Sequence, residues 1–180
     1  MIVGKRVRLR ALHRDDLPRF VAWFNDPDVI HGLDTVYPMR VEDEEAWFAA
    51  LSERHAAERP LSIDVYNESG WVHVGSCNLN DLDWRVRKAE IGIAIGDKSY
   101  WDQGVGAEAM RLMLGHAFDT LNLNRVYLHV YAHNERAIHL YAKIGFREEG
   151  RLRQDHFFQG QYVDTLVIGI LNGEFQRDAV

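Results

Sequence analysis

The sequence predicts one mixed α/β domain, and three observations carry that prediction. Its 180 residues suit a single compact domain, with 47% hydrophobic and 27% charged residues, the balance of a globular chain. Segments of alternating polarity recur between segments of helical period, in the order β-α-α-β-β-β-α-β-α-β-β. No internal repeat, low-complexity tract or linker breaks that order, so residues 1–180 read as one domain.

Each element has its own warrant. Lys5 to Leu12 (KRVRLRAL) alternates polar and apolar residues, as a half-buried strand does. Asp15 and Asp16 then open a helix with Leu17, Phe20, Val21 and Phe24 at helical spacing and Pro18 in its first turn. Asn25-Asp26-Pro27 ends it. Val41 to Arg59 is predicted as a second helix, because its acids come first and its bases later, as a helix dipole favours. Leu61 to Tyr66 and Trp71 to Leu79 make a hairpin across a turn at Asn67 to Gly70. Lys88 to Gly96 (KAEIGIAIG) is the next strand. Val105, Ala109, Leu112, Met113 and Ala117 mark a third helix. Arg125 to Ala132 (RVYLHVYA) is a strand, and Glu135 to Ile144 a short helix with Gly145 as its C-cap. Phe146 to Phe158 and Val163 to Leu171 close the chain as strands, giving seven strands and four helices.

Composition narrows the function classes. A net charge of −6 lacks the basic footprint of a nucleic-acid binder and weakly favours a cationic small substrate. No apolar run reaches the roughly 18 residues of a membrane helix, and Met1 to Lys5 lead straight into the first strand without a signal peptide. Cys77 is the only cysteine, so no intrachain disulfide or cysteine zinc cage can form. A cytoplasmic enzyme is the expectation.

One stretch carries chemistry. Trp101 to Met110 reads WDQGVGAEAM, and Gly104-Val105-Gly106 with Ala109 fits the G-x-G-x-x-G/A pattern of dinucleotide loops. The context does not fit. Three consecutive strands precede the loop, and seven residues separate Gly96 from Gly104, where a dinucleotide fold needs the glycines directly after its first strand. The ribose-binding acid expected about 20 residues on is missing; Asn122, Leu123, Asn124 and Arg125 stand there. No Lys-Ser or Lys-Thr completes a Walker A loop. A phosphate cradle survives both exclusions, since bare N–H groups at a helix N-terminus favour an anion; a plain tight turn is its alternative.

A second stretch, Asn134 to Phe146 (NERAIHLYAKIGF), changes the balance. Together the two resemble the acyl-CoA signatures of the GNAT N-acetyltransferases, a Q/R-x-x-G-x-G/A loop followed one strand later by N-x-x-A-x-x-x-Y-x-x-x-G-F. The second signature matches at every fixed position. In the first, Trp101 replaces the usual Gln or Arg, which removes a side-chain contact and leaves the backbone cradle.

The resemblance implies a single GNAT domain built on a central, mostly antiparallel twisted sheet of about seven strands with four helices. It implies acetyl-CoA as acetyl donor, no metal, direct transfer to a primary amine in a ternary complex, and a possible homodimer. The backbone of Asp102, Gln103, Gly104, Val105, Gly106 and Ala107 would wrap the pyrophosphate. Ile93, Ala94 and Ile95 would pair with the pantetheine arm as an added strand does. Asn134 and Ala137 would meet CoA, with helix capping the alternative for Asn134. Tyr141 would give its proton to the leaving thiolate, a phenol of pKa about 10 facing a thiol near 8.5. Packing against the sheet is its alternative.

The amine must also lose a proton. Near pKa 10.4 that costs about 4–5 kcal/mol at pH 7, and near 7.8 only about 1 kcal/mol. Glu90 is the first candidate base: it shares a strand face with the small Gly92 and Ala94, unless Arg85, Arg87 or Lys88 pairs with it. His73 and His129 are weaker candidates. His129 and His133 sit on and just beyond a strand with no third ligand in view, so a metal is not expected.

The segment from Tyr141 onward resembles both the spermidine and the ribosomal-protein N-terminal branches. Asp34, Glu42, Asp43, Glu44 and Glu45 could hold a polycation, although acids at a helix start are favoured for dipole reasons alone. A non-catalytic acyl-CoA-binding module on the same fold is the alternative to an enzyme.

Overall fold

The computed structural model describes residues 1–33 and 37–177. Its strands are β1 (Ile2–Val3), β2 (Val7–Ala11), β3 (Leu61–Asn67), β4 (Gly70–Asp83), β5 (Lys88–Ile95), β6 (Arg125–Tyr131), β7 (Arg147–Phe158) and β8 (Gln161–Leu171). Its α-helices are α1 (Leu17–Phe24), α2 (Pro27–Ile30), α3 (Val41–Ala50), α4 (Val105–Gly115) and α5 (Glu135–Ile144). All the strands join one open sheet in the order β1-β2-β3-β4-β5-β6-β8-β7. Every neighbouring pair is antiparallel except β5 with β6.

Three expectations need correction. The sheet has eight strands rather than about seven, because Ile2 and Val3 pair with Arg8 and Leu9 at one edge. A fifth helix, α2, follows directly on Asn25-Asp26-Pro27: Pro27 suits a first helical position and Asp26 accepts from the Asp28 N–H, so the stop of one helix is the start of the next. The helix expected over Val41 to Arg59 ends at Ala50, and two short 3-10 turns follow. There the Arg59 guanidinium bonds the carbonyls of Ser52 and Arg54, giving a chain that has left the helix partners for its backbone.

The two sheet faces differ in chemistry because side chains alternate along each strand. Val7 and Leu9 of β2 share a face with Ile63 and Val65 of β3, and α4 covers it with Val105, Ala109, Met110 and Met113, all buried. On the other face Arg10 reaches the buried Asp16 and Asp64, each at 2.8–2.9 Å, beneath the chain entering α1. Phe20 of α1 packs there beside Trp23, Trp47 and His73.

One interruption positions everything that follows. β5 pairs with β6 only through Lys88↔Arg125, Ala89↔Val126 and Glu90↔Tyr127. Beyond Glu90 the strands part: β5 continues against β4 to Ile95, while β6 continues against β8 to Tyr131. Among the described residues, 91–95 therefore have no strand beside them on the β6 side.

Candidate active site

The gap between the parted strands is a cleft of about 890 Å³, within the range of small-molecule sites. Ile93, Ala94 and Ile95 form one wall, and the loop before α4 forms its end. Asn134, Ala137 and Tyr141 close the opposite side from α5.

The loop is shaped by two left-handed residues, Asp102 at φ 57° and Gly104 at φ 80°. A Cβ on Gly104 would meet nothing within 4 Å, so the backbone angle rather than space demands glycine there. Gly104 is the N-cap of α4, whose first helical bond runs from Glu108 N–H to Gly104 O at 3.0 Å. The N–H groups of residues 105–107 therefore have no intrahelical acceptor, and Val105, Gly106 and Ala107 all line the cleft. That is the geometry of a phosphate cradle. Gln103 faces away: its side chain donates to Ser99 O, its carbonyl accepts from Arg6 at 2.8 Å, and it does not line the cleft.

Trp101 does more than vacate a contact. Its indole N–H donates to the Ile95 carbonyl at 2.7 Å, and the Arg136 guanidinium lies 3.8 Å from its ring centroid. The Ile95 carbonyl is thus already engaged, so a strand-like ligand along β5 has the main chain before it. Arg136 and Lys143 also bring positive charge to this cleft. Neither showed in the sequence pattern, since a surface cation has no periodicity to reveal it.

Asn134 caps α5, accepting from the Ala137 N–H at 3.2 Å. Capping uses Oδ1 and leaves the amide nitrogen available. Tyr141, 8% exposed, has no hydrogen-bond partner for its hydroxyl among the described residues. Burial pushes that phenol up to about 12.

Glu90 does not line the cleft and pairs with none of Arg85, Arg87 or Lys88. Its Oε1 lies 2.6 Å from Nδ1 of His129, one strand over, and His129 does line the cleft. The weaker candidate therefore stands between the stronger one and the site. His73 lies elsewhere, buried with Nε2 2.9 Å from Gly75 O and Nδ1 3.2 Å from Asp16, and burial lowers its pKa. The buried Cys77 thiol is pushed up to about 12 by desolvation, which leaves it inert as a nucleophile. Among the described residues no three His, Cys, Asp or Glu side chains gather as metal ligands do.

A second cavity of about 510 Å³ opens beside β5, where Ser76, Asn78 and Gly92 line it from the sheet. Phe20 and Phe24 of α1 and Glu44 and Trp47 of α3 enclose it. Leu33, Ile93 and Ala94 line both cavities, so the two spaces meet at β5. Of the acids singled out in the sequence, Asp34 lies outside the described residues. Asp43 lines this cavity and is held by Arg40 at the start of α3, while Glu44 turns inward.

Comparison with known proteins agrees with this architecture. A profile of the acetyltransferase (GNAT) domain matches residues 6–147. The spermidine N(1)-acetyltransferase of Escherichia coli K12 is 29% identical, over 94% of this chain and 88% of its own. In Bacillus subtilis, "Putative ribosomal N-acetyltransferase YdaF" is 31% identical over 68% of this chain and 78% of its own. The crystal structure of spermidine N-acetyltransferase from Vibrio cholerae, in complex with CoA and spermine, superposes with a TM-score of 0.83 at 28% identity, covering 95% of this chain and 98% of that one. With the family's two signatures meeting across one cleft and its domain profile spanning most of the sequence, this chain belongs to the GNAT acetyltransferases.

Proposed function

We propose that this acetyl-CoA-dependent N-acetyltransferase moves an acetyl group directly to a primary amine, with the donor in the cleft and the amine in the second cavity. The observation that carries this reading is the arrangement at β5. A phosphate cradle stands at one end of an open strand edge, and a second chamber meets that edge at Ala94. Acetyl-CoA supplies the activated acyl group; the chain's residues supply binding and proton handling.

The free N–H groups of residues 105–107 hold the pyrophosphate, aided by the cationic Arg136. The unpaired edge of residues 91–95 takes the pantetheine amides, and the Asn134 amide nitrogen adds a side-chain donor. Tyr141 points its unpartnered hydroxyl toward the leaving sulfur. With the phenol at about 12, full proton transfer to a thiolate of pKa near 8.5 would be uphill by about 5 kcal/mol. Tyr141 therefore acts as a hydrogen-bond donor to the developing thiolate, and burial keeps it protonated at any working pH. His129, which lines the donor cleft and is oriented through Nδ1 by Glu90, is the base of this reading, taking the proton of the amine where the two spaces meet.

A cytoplasmic location suits this reading, since the lone Cys77 needs no oxidising compartment. A homodimer is part of it by family resemblance.

The test is thiol release from acetyl-CoA across spermidine, short peptides and simple monoamines. Turnover with one amine class is expected, and Tyr141→Phe should lower kcat about 100-fold or more while leaving the affinity for CoA nearly unchanged. Silence across all amines, with acetyl-CoA still raising Tm, would instead identify a binding module.

A further inference from the structure

Residues 26–33 join the β5 side of the donor cleft to its β6 side. At one end Asp26 and Asp28 share the Lys98 ammonium, each at 2.8 Å, and Lys98 stands just beyond β5. At the other end the His31 carbonyl accepts from Nε2 of His133, just beyond β6, at 3.0 Å. His133 stacks on Phe158, the last residue of β7, with centroids 4.3 Å apart. The His31 ring stands nearly perpendicular to both, at 4.8 and 4.7 Å. Between these ends Asp28, Val29, His31, Gly32 and Leu33 all line the cleft.

The middle of this segment lies against a residue of the donor site. A Cβ on Gly32 would come within 2.4 Å of Nδ2 of Asn134, the amide nitrogen that capping leaves free. Gly32 is not among the glycines with a left-handed φ, so close approach rather than backbone angle requires glycine there. Leu33 then lines both cavities. Yet the segment is lightly held. Val29 alone of its side chains is buried, and its two ends rest on an exposed ion pair and on ring contacts, which are individually weak.

We propose that residues 26–33 are a gate over the donor cleft, closed as the structure shows it and released at the His31 end each time acetyl-CoA enters or leaves. The proposal rests on the cleft being the donor site. Closed, the segment covers Asn134 and walls both chambers; released, it opens the edge of residues 91–95 to solvent. Its fastenings are made to Lys98, His133 and Phe158 rather than to the donor. Weakening them therefore multiplies entry and exit by one factor and leaves the affinity in place.

The experiment measures association and dissociation rates of CoA on the full chain by stopped-flow fluorescence, using Trp101 in the cleft as reporter, with Kd from calorimetry. Lys98→Ala should raise both rates about 3-fold, as loss of an exposed ion pair allows. Phe158→Ala should raise both about 10-fold, and Phe158→Leu, which keeps the bulk and loses the ring, should change them in the same direction. Kd should stay within about 2-fold of wild type in each variant, which also checks that each is folded. Faster dissociation with unchanged association would make the segment a wall that touches the donor, and unchanged rates would make it a static loop. Either result overturns the gate and leaves the donor site standing. Wild-type protein that binds no CoA would overturn both.

Discussion

Asp16 and Glu44 are both buried carboxyl groups, and their surroundings push them in opposite directions. Burial alone would raise Asp16, but Arg10, the His13 N–H, His73 and Ser62 all hold its charged form, and it sits at about 2. Its contribution to stability is full above the ordinary carboxylate range near 3.8 and is lost as pH falls toward 2, a difference of about 2 kcal/mol. Asp16→Asn should therefore destabilise by about 3 kcal/mol at pH 7, because Arg10 loses half of its fork; calorimetric unfolding measures this. Glu44 is raised by desolvation with nothing to offset it. Its cost is absent below about 4.5 and grows as pH rises through the shifted value. Ligand-free Glu44→Gln should accordingly melt higher than the wild type at pH 8 and equally at pH 4. A lower Tm at pH 8 would show that Glu44 has a partner in the folded state.

Local signals placed most elements to within a residue or two, because alternation and capping are written in adjacent residues. Glu135 to Ile144 is α5 to the residue, framed by the Asn134 cap and by Gly145 at φ 114°. The second helix ran long because charge order along a segment does not mark where backbone bonds stop. The α4 loop was recognised, but what fixes it was not: the Trp101–Ile95 bond and the stacking of Arg136 join residues from three separate segments. Glu90–His129 escaped for the same reason, spanning 39 residues and two strands. Glu44 could not be told from its exposed neighbours, since acids opening a helix usually face water. Trp101→Ala removes both contacts and should raise the KM for acetyl-CoA about 10-fold while kcat for the amine changes little. Gly104→Ala must hold a left-handed angle at about 1 kcal/mol, and should weaken CoA binding with no clash to relieve. Calorimetric titration with CoA checks both.

The order of the whole sheet puts its one parallel junction in the middle, with strands β1 to β5 on one side and β6, β8 and β7 on the other. Among the described residues only three pairs of β5 and β6 stand in ladder register, all at the end away from the cleft. The cores on either side are well buried, yet the seam between them is open where the donor is proposed to bind. Amide hydrogen exchange should register that seam. Among the described residues, the amides of 91–95 that point away from β4 face no acceptor strand, so in the free protein they should exchange far faster than those of β4 or β8. A ligand that lies along this edge completes the ladder and acts as a missing strand. Saturating CoA should then slow exchange in residues 91–95 and, at 100 times its Kd, add about 2.7 kcal/mol to global stability. The cofactor would be part of what holds the two half-sheets together, and unfolding would become more cooperative in its presence.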